Sequence, residues 1–339
     1  MIRPILSFIL PCYNVENYIG ACLDSLFAQD IPEEEYEVIC VNDCSSDCTE
    51  KIIRNYQEKY SIIRLFNHTM NKTAGGARNT GLENALGKYV WFVDPDDIIE
   101  PNVVRHLLNH CITGDLDILM FNHREINKDG NELSVKSTFI NSEVDTGLTY
   151  INKFFENKLA MISIVWLEIY KVDFLKKNMI NFPEIIFGED TLFVWRSIIL
   201  AKRVQSIEEI CYVYRYNDFS ISGSFTLKPN AYKIFSRSFI FGAEVLKLKE
   251  SLNTNNRDIK LDLIQNANWN INHFFYDLIK INQKEKRQFY LLCKNHKSLL
   301  YELNNSMTRR SKILTCMLNY GFYSWYFTLQ LLNFSQKNK

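Results

Sequence analysis

The chain has 339 residues, enough for roughly two domains, and its 47% apolar and 23% charged composition is that of a folded protein rather than a disordered one. Lys and Arg number 39 and so do Asp and Glu, which argues against nucleic acid as the main partner, because a phosphate backbone needs a concentrated positive surface. Nine cysteines, scattered from Cys12 to Cys316, fit free thiols in a reducing compartment better than a disulfide framework. Pro11 cuts the first apolar run below the length of a secretory segment, so a cytoplasmic start is expected.

In chain order, the apolar run over 5–10 predicts a buried strand, and Asn14 predicts the N-cap of a helix whose apolar face holds Val15, Tyr18, Ile19, Cys22, Leu23, Leu26 and Phe27. Strands are expected over 36–41, 62–66 and 89–93, with helices over 49–60 and 74–86 between them. Alternation of this kind gives an α/β fold with a mostly parallel sheet covered on both faces. Each strand ends in polar residues: Tyr13-Asn14, Asn42-Asp43, Asn67 onward, and Asp94 to Asp97. In open α/β sheets the carboxyl ends of the strands line the ligand crevice, so these clusters should face one site. Further on, a helix is expected over 103–111, a strand over 117–121, a polar hairpin around 128–131, and a helix after Gly188. Long helical stretches follow Phe225, which places a domain boundary there: residues 1–224, themselves two halves of 1–100 and 101–224, and a helical region 225–339. Residues 313–334 are apolar and aromatic and follow Arg309, Arg310 and Lys312. They read as a packed helix, as a peripheral contact with an anionic membrane surface, or as a membrane span that Asn319, Gln330 and Asn333 weaken.

Three clusters carry side chains suited to cation, base-edge and proton-transfer chemistry. Asp94-Pro95-Asp96-Asp97 can hold a hard cation, Mg²⁺ or Mn²⁺, although Asp97 could equally cap a helix. Asp43 can accept the N3–H of uracil or thymine, or can simply hold the turn through the Ser45-Ser46 backbone. Glu189-Asp190 opens a helix, where a carboxylate is a natural cap and also a reasonable general base. His106 and His110 lack a third metal ligand and read as a surface pair; a zinc site at Cys40, Cys44 and Cys48 lacks a completing cluster. Neither a G-x-G-x-x-G turn after the first strand nor a Walker A loop is present.

Taken together, the blocks Ser7 to Asn14, Val41 to Thr49, Asn71 with Gly76-Ala77-Arg78-Asn79-Thr80-Gly81, Phe92 to Asp97, Trp166 with Tyr170-Lys171, Gly188 to Phe193, and Tyr212-Val213-Tyr214-Arg215 resemble family 2 glycosyltransferases of the GT-A fold. The resemblance implies that Pro11, Tyr13 and Asp43 hold the nucleoside, that Glu16 and Arg78 line or brace the donor pocket, and that Asp94 contacts the nucleotide sugar. It implies a metal at Asp96, a base at Asp190, sugar contacts from Glu189 and Trp166, and a diphosphate contact from Arg215. The implied reaction is inverting transfer from a UDP- or dTDP-linked sugar to a hydroxyl of a saccharide or lipid-linked acceptor, in cell-surface polysaccharide synthesis. The alternatives are a catalytically silent binding module and a sugar-phosphate nucleotidylyltransferase. Cys44 and Cys48 stand where the family often has Gly, which would strain a turn requiring positive φ.

Overall fold

The computed structural model describes residues 3–156, 164–183 and 189–216, with a few helical positions between 287 and 294. The chain divides into two compact units, Met1–Ser224 and Phe225–Lys339. Residues 313–334 and most of the second unit lie outside the described residues. Among the described residues, no helix is long and apolar enough to cross a membrane.

The first half is an alternating run: β1 (Leu6–Cys12), α1 (Ile19–Phe27), β2 (Tyr36–Asn42), α2 (Thr49–Gln57), β3 (Ile63–Asn67), α3 (Thr73–Asn84) and β4 (Tyr89–Phe92). Every residue of β1, β2 and β4 is buried, which explains why they read as continuous apolar runs. The four strands are parallel in the order β3-β2-β1-β4. The chain steps outward from β1 to β3 and then returns to the other side of β1, so a crevice opens at the carboxyl ends of β1 and β4.

The second half is mixed rather than parallel. β5 (Ile98–Ile99), α4 (Val104–Thr113), β6 (Ile118–Ile126), β7 (Glu132–Lys136), α5 (Gly147–Glu156), β8 (Glu168–Lys171), α6 (Val172–Lys177), α7 (Glu189–Leu200) and β9 (Val204–Arg215) follow, with short 3-10 turns at Glu33–Glu35 and Val165–Leu167. They extend the sheet as β4-β8-β6-β9-β5, with β8 antiparallel to both β4 and β6, and with β7 hairpinned onto β6.

Local chemistry explains where sequence expectations shift. β1 continues through Pro11 because pairing with β4 stops at Ile9–Phe92, while pairing with β2 continues to Cys12–Asn42. Ile5 and Ile9 give their carbonyls to the β4 side, so by alternation the missing N–H of Pro11 falls where no strand remains. Asn14 does not cap α1. Its φ is +52, its side-chain oxygen accepts the Ser46 N–H at 2.8 Å, and the helix starts only at Ile19. Residues 98–99 form β5 rather than the start of a helix, so Asp97 caps nothing.

Close approaches fix the packing. A Cβ on Gly81 of α3 would sit 2.3 Å from Ile9 Cγ2 of β1, so the last glycine of Gly76-Ala77-Arg78-Asn79-Thr80-Gly81 is the contact that lets this helix lie on the central strand. The start of α5 meets the end of α7 in the same way, where a Cβ on Gly147 would fall 1.5 Å from the Ile198 carbonyl oxygen.

One buried group works against stability. Glu168, on β8, is 1% exposed, and among the described residues neither carboxyl oxygen has a hydrogen-bond partner of good geometry. Burial pushes its pKa from 4.5 to about 8, with the Tyr170 hydroxyl pulling weakly the other way. The folded chain therefore keeps a proton that the unfolded chain releases, and stability falls as pH rises through that window. By pH 7 the cost is about 3 kcal/mol at 1.36 kcal/mol per unit. Glu168→Gln should match the parent near pH 4.5 and exceed it by roughly 4 kcal/mol near pH 8, because the amide's unmet hydrogen bonds weigh equally at both pH values. Denaturant titration at the two pH values checks this, and parallel pH profiles for the two proteins would refute it.

Candidate active site

The carboxyl ends of β2 and β4 and the start of α7 carry the three acidic groups. Phe193, one turn into α7, stacks on Phe182 at 3.9 Å and meets Phe92 of β4 edge-on at 5.6 Å. That aromatic anchor sets the first turn of α7, with Glu189 and Asp190, beside the end of β4.

Arg78 joins the clusters. It lies on α3, is 3% exposed, and donates from Nη1 to Asp190 Oδ1 at 2.5 Å and from Nη2 to Asp94 Oδ1 at 2.8 Å. Glu189 Oε1 is 3.5 Å from the same guanidinium, which also lies over the Phe182 ring. A single buried cation thus holds three carboxylates that would otherwise repel one another. Burial raises the pKa of Asp190 to about 7; Arg78 pulls it down, while Glu189 and Asp94 push it up. Arg78 therefore braces these acidic groups.

Within Asp94 to Asp97 the roles separate. Carboxylate oxygens of Asp94, Asp96 and Asp97 lie within 4.8 Å of one another, a hard-oxygen donor set suited to Mg²⁺ or Mn²⁺. Asp97, however, is 1% exposed and has both oxygens engaged: Oδ2 accepts from the Tyr212 hydroxyl at 2.9 Å and Oδ1 from the Arg215 N–H at 2.7 Å. It is a structural anchor, leaving the half-buried Asp94 and Asp96 to face the crevice. The Tyr212 hydroxyl also accepts the Asp94 N–H at 3.2 Å.

Two residues assigned by resemblance are occupied in this same support. Arg215 donates its guanidinium to the carbonyls of Asp96, Asp97 and Tyr18, so it shapes the acidic loop. Trp166 is 7% exposed and stacks on Tyr212 at 4.2 Å, with His123 against it edge-on at 4.9 Å. Burial lowers the pKa of His123 to about 4, so the ring is neutral at pH 7. Trp166 thus backs the tyrosine that holds Asp97.

Among the residues expected to hold the nucleoside, Pro11 is buried and Tyr13 is 50% exposed. Glu16 accepts the Cys48 N–H at 2.8 Å and gives its own N–H to Asp47. It ties the loop after β1 to the turn after β2. Cys44 has φ +64 and Cys48 is the residue before α2 with φ −79, so only the first cysteine bears a left-handed backbone. Asp43 makes no bond to Ser45 or Ser46; that role falls to Asn42, whose Oδ1 accepts the Ser45 N–H. Asp43 Oδ1 instead accepts from the Lys72 N–H at 2.8 Å and meets His68 Nδ1 at 2.6 Å. Nothing in the sequence marks His68, which simply follows β3.

His106 and His110 sit on α4 against Glu209 and Gln205, as a surface pair. The eight described cysteines are free thiols, with Cys40 buried and Cys44 and Cys48 exposed.

The parallel β3-β2-β1-β4 unit, its crevice and the acidic loop after β4 define a nucleotide-binding transferase architecture. A family model described as "Glycosyl transferase family 2" matches residues 7–178, and the chain belongs to that family. It is 30% identical over 256 residues to the uncharacterized glycosyltransferase YibD of Escherichia coli, covering 75% of this chain and 72% of that protein. It is 32% identical over 211 residues to a poly(ribitol-phosphate) beta-glucosyltransferase of Bacillus spizizenii, covering 62% of this chain. The chain spans about a third of that second protein's length, 32%. Among solved structures, Staphylococcus aureus TarS 1–349 in complex with UDP-GlcNAc superposes with a TM-score of 0.68 at 22% identity, covering 98% of this chain and 92% of that one. The likeness establishes the GT-A fold.

Proposed function

We propose that this chain transfers a sugar from a UDP- or dTDP-linked donor to a hydroxyl of a saccharide or lipid-linked acceptor in cell-surface polysaccharide synthesis, with inversion at the anomeric carbon. The observation that carries the reading is the Arg78 bridge, which puts a carboxylate of the acidic loop, Asp94, and the candidate base, Asp190, on two nitrogens of one guanidinium. In this reading leaving-group and acceptor chemistry lie side by side. The names of relatives support it: a poly(ribitol-phosphate) beta-glucosyltransferase and the poly(ribitol-phosphate) beta-N-acetylglucosaminyltransferase TarS.

In this reading Asp43 accepts the N3–H of uracil or thymine, and Asp190 takes the acceptor proton as the hydroxyl attacks. One displacement inverts the centre, by the stereochemical logic that separates inverting from retaining glycosidases. A divalent cation held by Asp96, with Asp94 beside it, would neutralise the departing diphosphate. Asp97, Tyr212 and Arg215 keep that loop in place.

Nucleoside diphosphate release from a panel of donors, with Mn²⁺ and mixed saccharide acceptors, tests the reading. Uracil- and thymine-linked donors should exceed cytosine-linked ones by at least about tenfold, the worth of one base-edge hydrogen bond. Chelation or Asp96→Asn should abolish the release. Release of pyrophosphate would point to nucleotidyl transfer, and binding without turnover of any donor would point to a silent module.

A further inference from the structure

We infer that His68 is a positioning residue that gives Asp43 its selectivity for a uracil-type base. The inference rests on the proposed reading of Asp43 as the base acceptor and adds what makes that carboxylate discriminating. Asp43 and His68 side chains are 3% and 6% exposed, and His68 Nδ1 lies 2.6 Å from Asp43 Oδ1. An ionised carboxylate only accepts, so the Nδ1 proton faces Asp43. The far nitrogen, Nε2, lies 2.9 Å from Thr80 Oγ1, and Thr80 is itself held to the Gly76 carbonyl at 3.2 Å. The imidazole is thus pinned between the turn after β2 and helix α3, where Thr80 lies two residues beyond Arg78.

The consequence concerns the other oxygen of Asp43. Oδ1 is doubly committed, to His68 and to the Lys72 N–H, while Oδ2 takes no partner among the described residues. A carboxylate free to rotate could offer either oxygen and adapt to other base edges. Held at Oδ1, it presents a fixed acceptor at the end of β2. Uracil and thymine offer N3–H to such an acceptor; cytosine offers a lone pair there and is repelled. Selectivity therefore depends on a side chain that need not touch the base.

The test uses the full chain and two variants of similar size. The amide nitrogen of His68→Asn reaches the place of Nδ1 and keeps the donor to Asp43. That of His68→Gln reaches toward Nε2 and Thr80 instead. UDP and CDP binding with Mn²⁺ is measured by titration calorimetry, with Asp43→Asn as reference and circular dichroism confirming the fold. The expected result is a UDP-over-CDP preference preserved in His68→Asn and reduced about tenfold in His68→Gln, in line with one hydrogen bond to a charged group. A preference unchanged in His68→Gln but lost in Asp43→Asn overturns the inference and leaves base reading by Asp43 intact. A preference unchanged in Asp43→Asn removes base reading itself, and this inference with it. Equal loss in both His68 variants, with the fold intact, overturns the donor role and leaves only ring packing.

Discussion

Asp190→Asn should lower transfer by about 10²–10⁴-fold, the range that a positioned general base supplies, while leaving donor binding within a few-fold of the parent. The amide occupies the same volume and can still meet Arg78 through its oxygen, so the 2.5 Å contact has a neutral successor and the start of α7 keeps its place. What disappears is the ability to take a proton. The parent should show the complementary pH dependence. With Asp190 raised to about 7 by burial, the base is protonated in acid, and transfer should climb with pH through about 7 and then level off. Donor titration beside steady-state rates at several pH values separates binding from chemistry. Turnover near the parent level in Asp190→Asn would remove it from the base role.

Arg78→Met should have the largest effect on stability among single changes at the site. The thioether fills part of the buried space over Phe182 but leaves Asp94, Glu189 and Asp190 facing one another with no cation between them. Breaking a buried ion pair by deleting one partner costs about 3–5 kcal/mol. The same change removes the influence that pulls the Asp190 pKa down while its two acidic neighbours remain, so any residual activity should have its acid limb displaced to higher pH. Arg78→Lys should recover only part of the loss, because one ammonium cannot present two nitrogens to two carboxylates at once. Chemical denaturation and a pH–rate profile of the folded fraction measure both effects. Stability within about 1 kcal/mol of the parent would show that the carboxylates find another partner or simply take up protons.

Much of the nucleotide-binding half was legible from sequence because its signals are local. Buried parallel strands read as apolar runs, and polar residues at their ends mark a crevice without knowledge of any partner. The resemblance brought Asp94, Asp96 and Asp190 into one hypothesis, and Arg78 is the residue that ties two of them together in space. What escaped notice depends on distant residues. Asn14 has the chemistry of a helix cap, but the Ser46 N–H, 32 positions on, claims its oxygen. Asp97 looks like a metal ligand until Tyr212 and Arg215, more than a hundred positions later, take both its oxygens. The antiparallel insertion of β8 between β4 and β6 likewise has no local signature, since a four-residue strand with Glu168 in its buried face contradicts the usual pattern. His68 carries no motif, and its meaning comes only from the 2.6 Å approach to Asp43.

The dependence of the acidic loop on β9 sets a lower limit on how short a working version of this chain can be. The family match ends at residue 178, yet the hydroxyl and guanidinium that seat Asp97 and the Asp96 carbonyl belong to residues 212 and 215. A fragment trimmed to the matched region would retain the strands β1 to β4 and lose the props of the acidic loop after β4. During synthesis the same order applies. The ribosome delivers the aspartates long before the segment that locks them, so the acidic loop reaches its final shape late, after the last described strand has emerged.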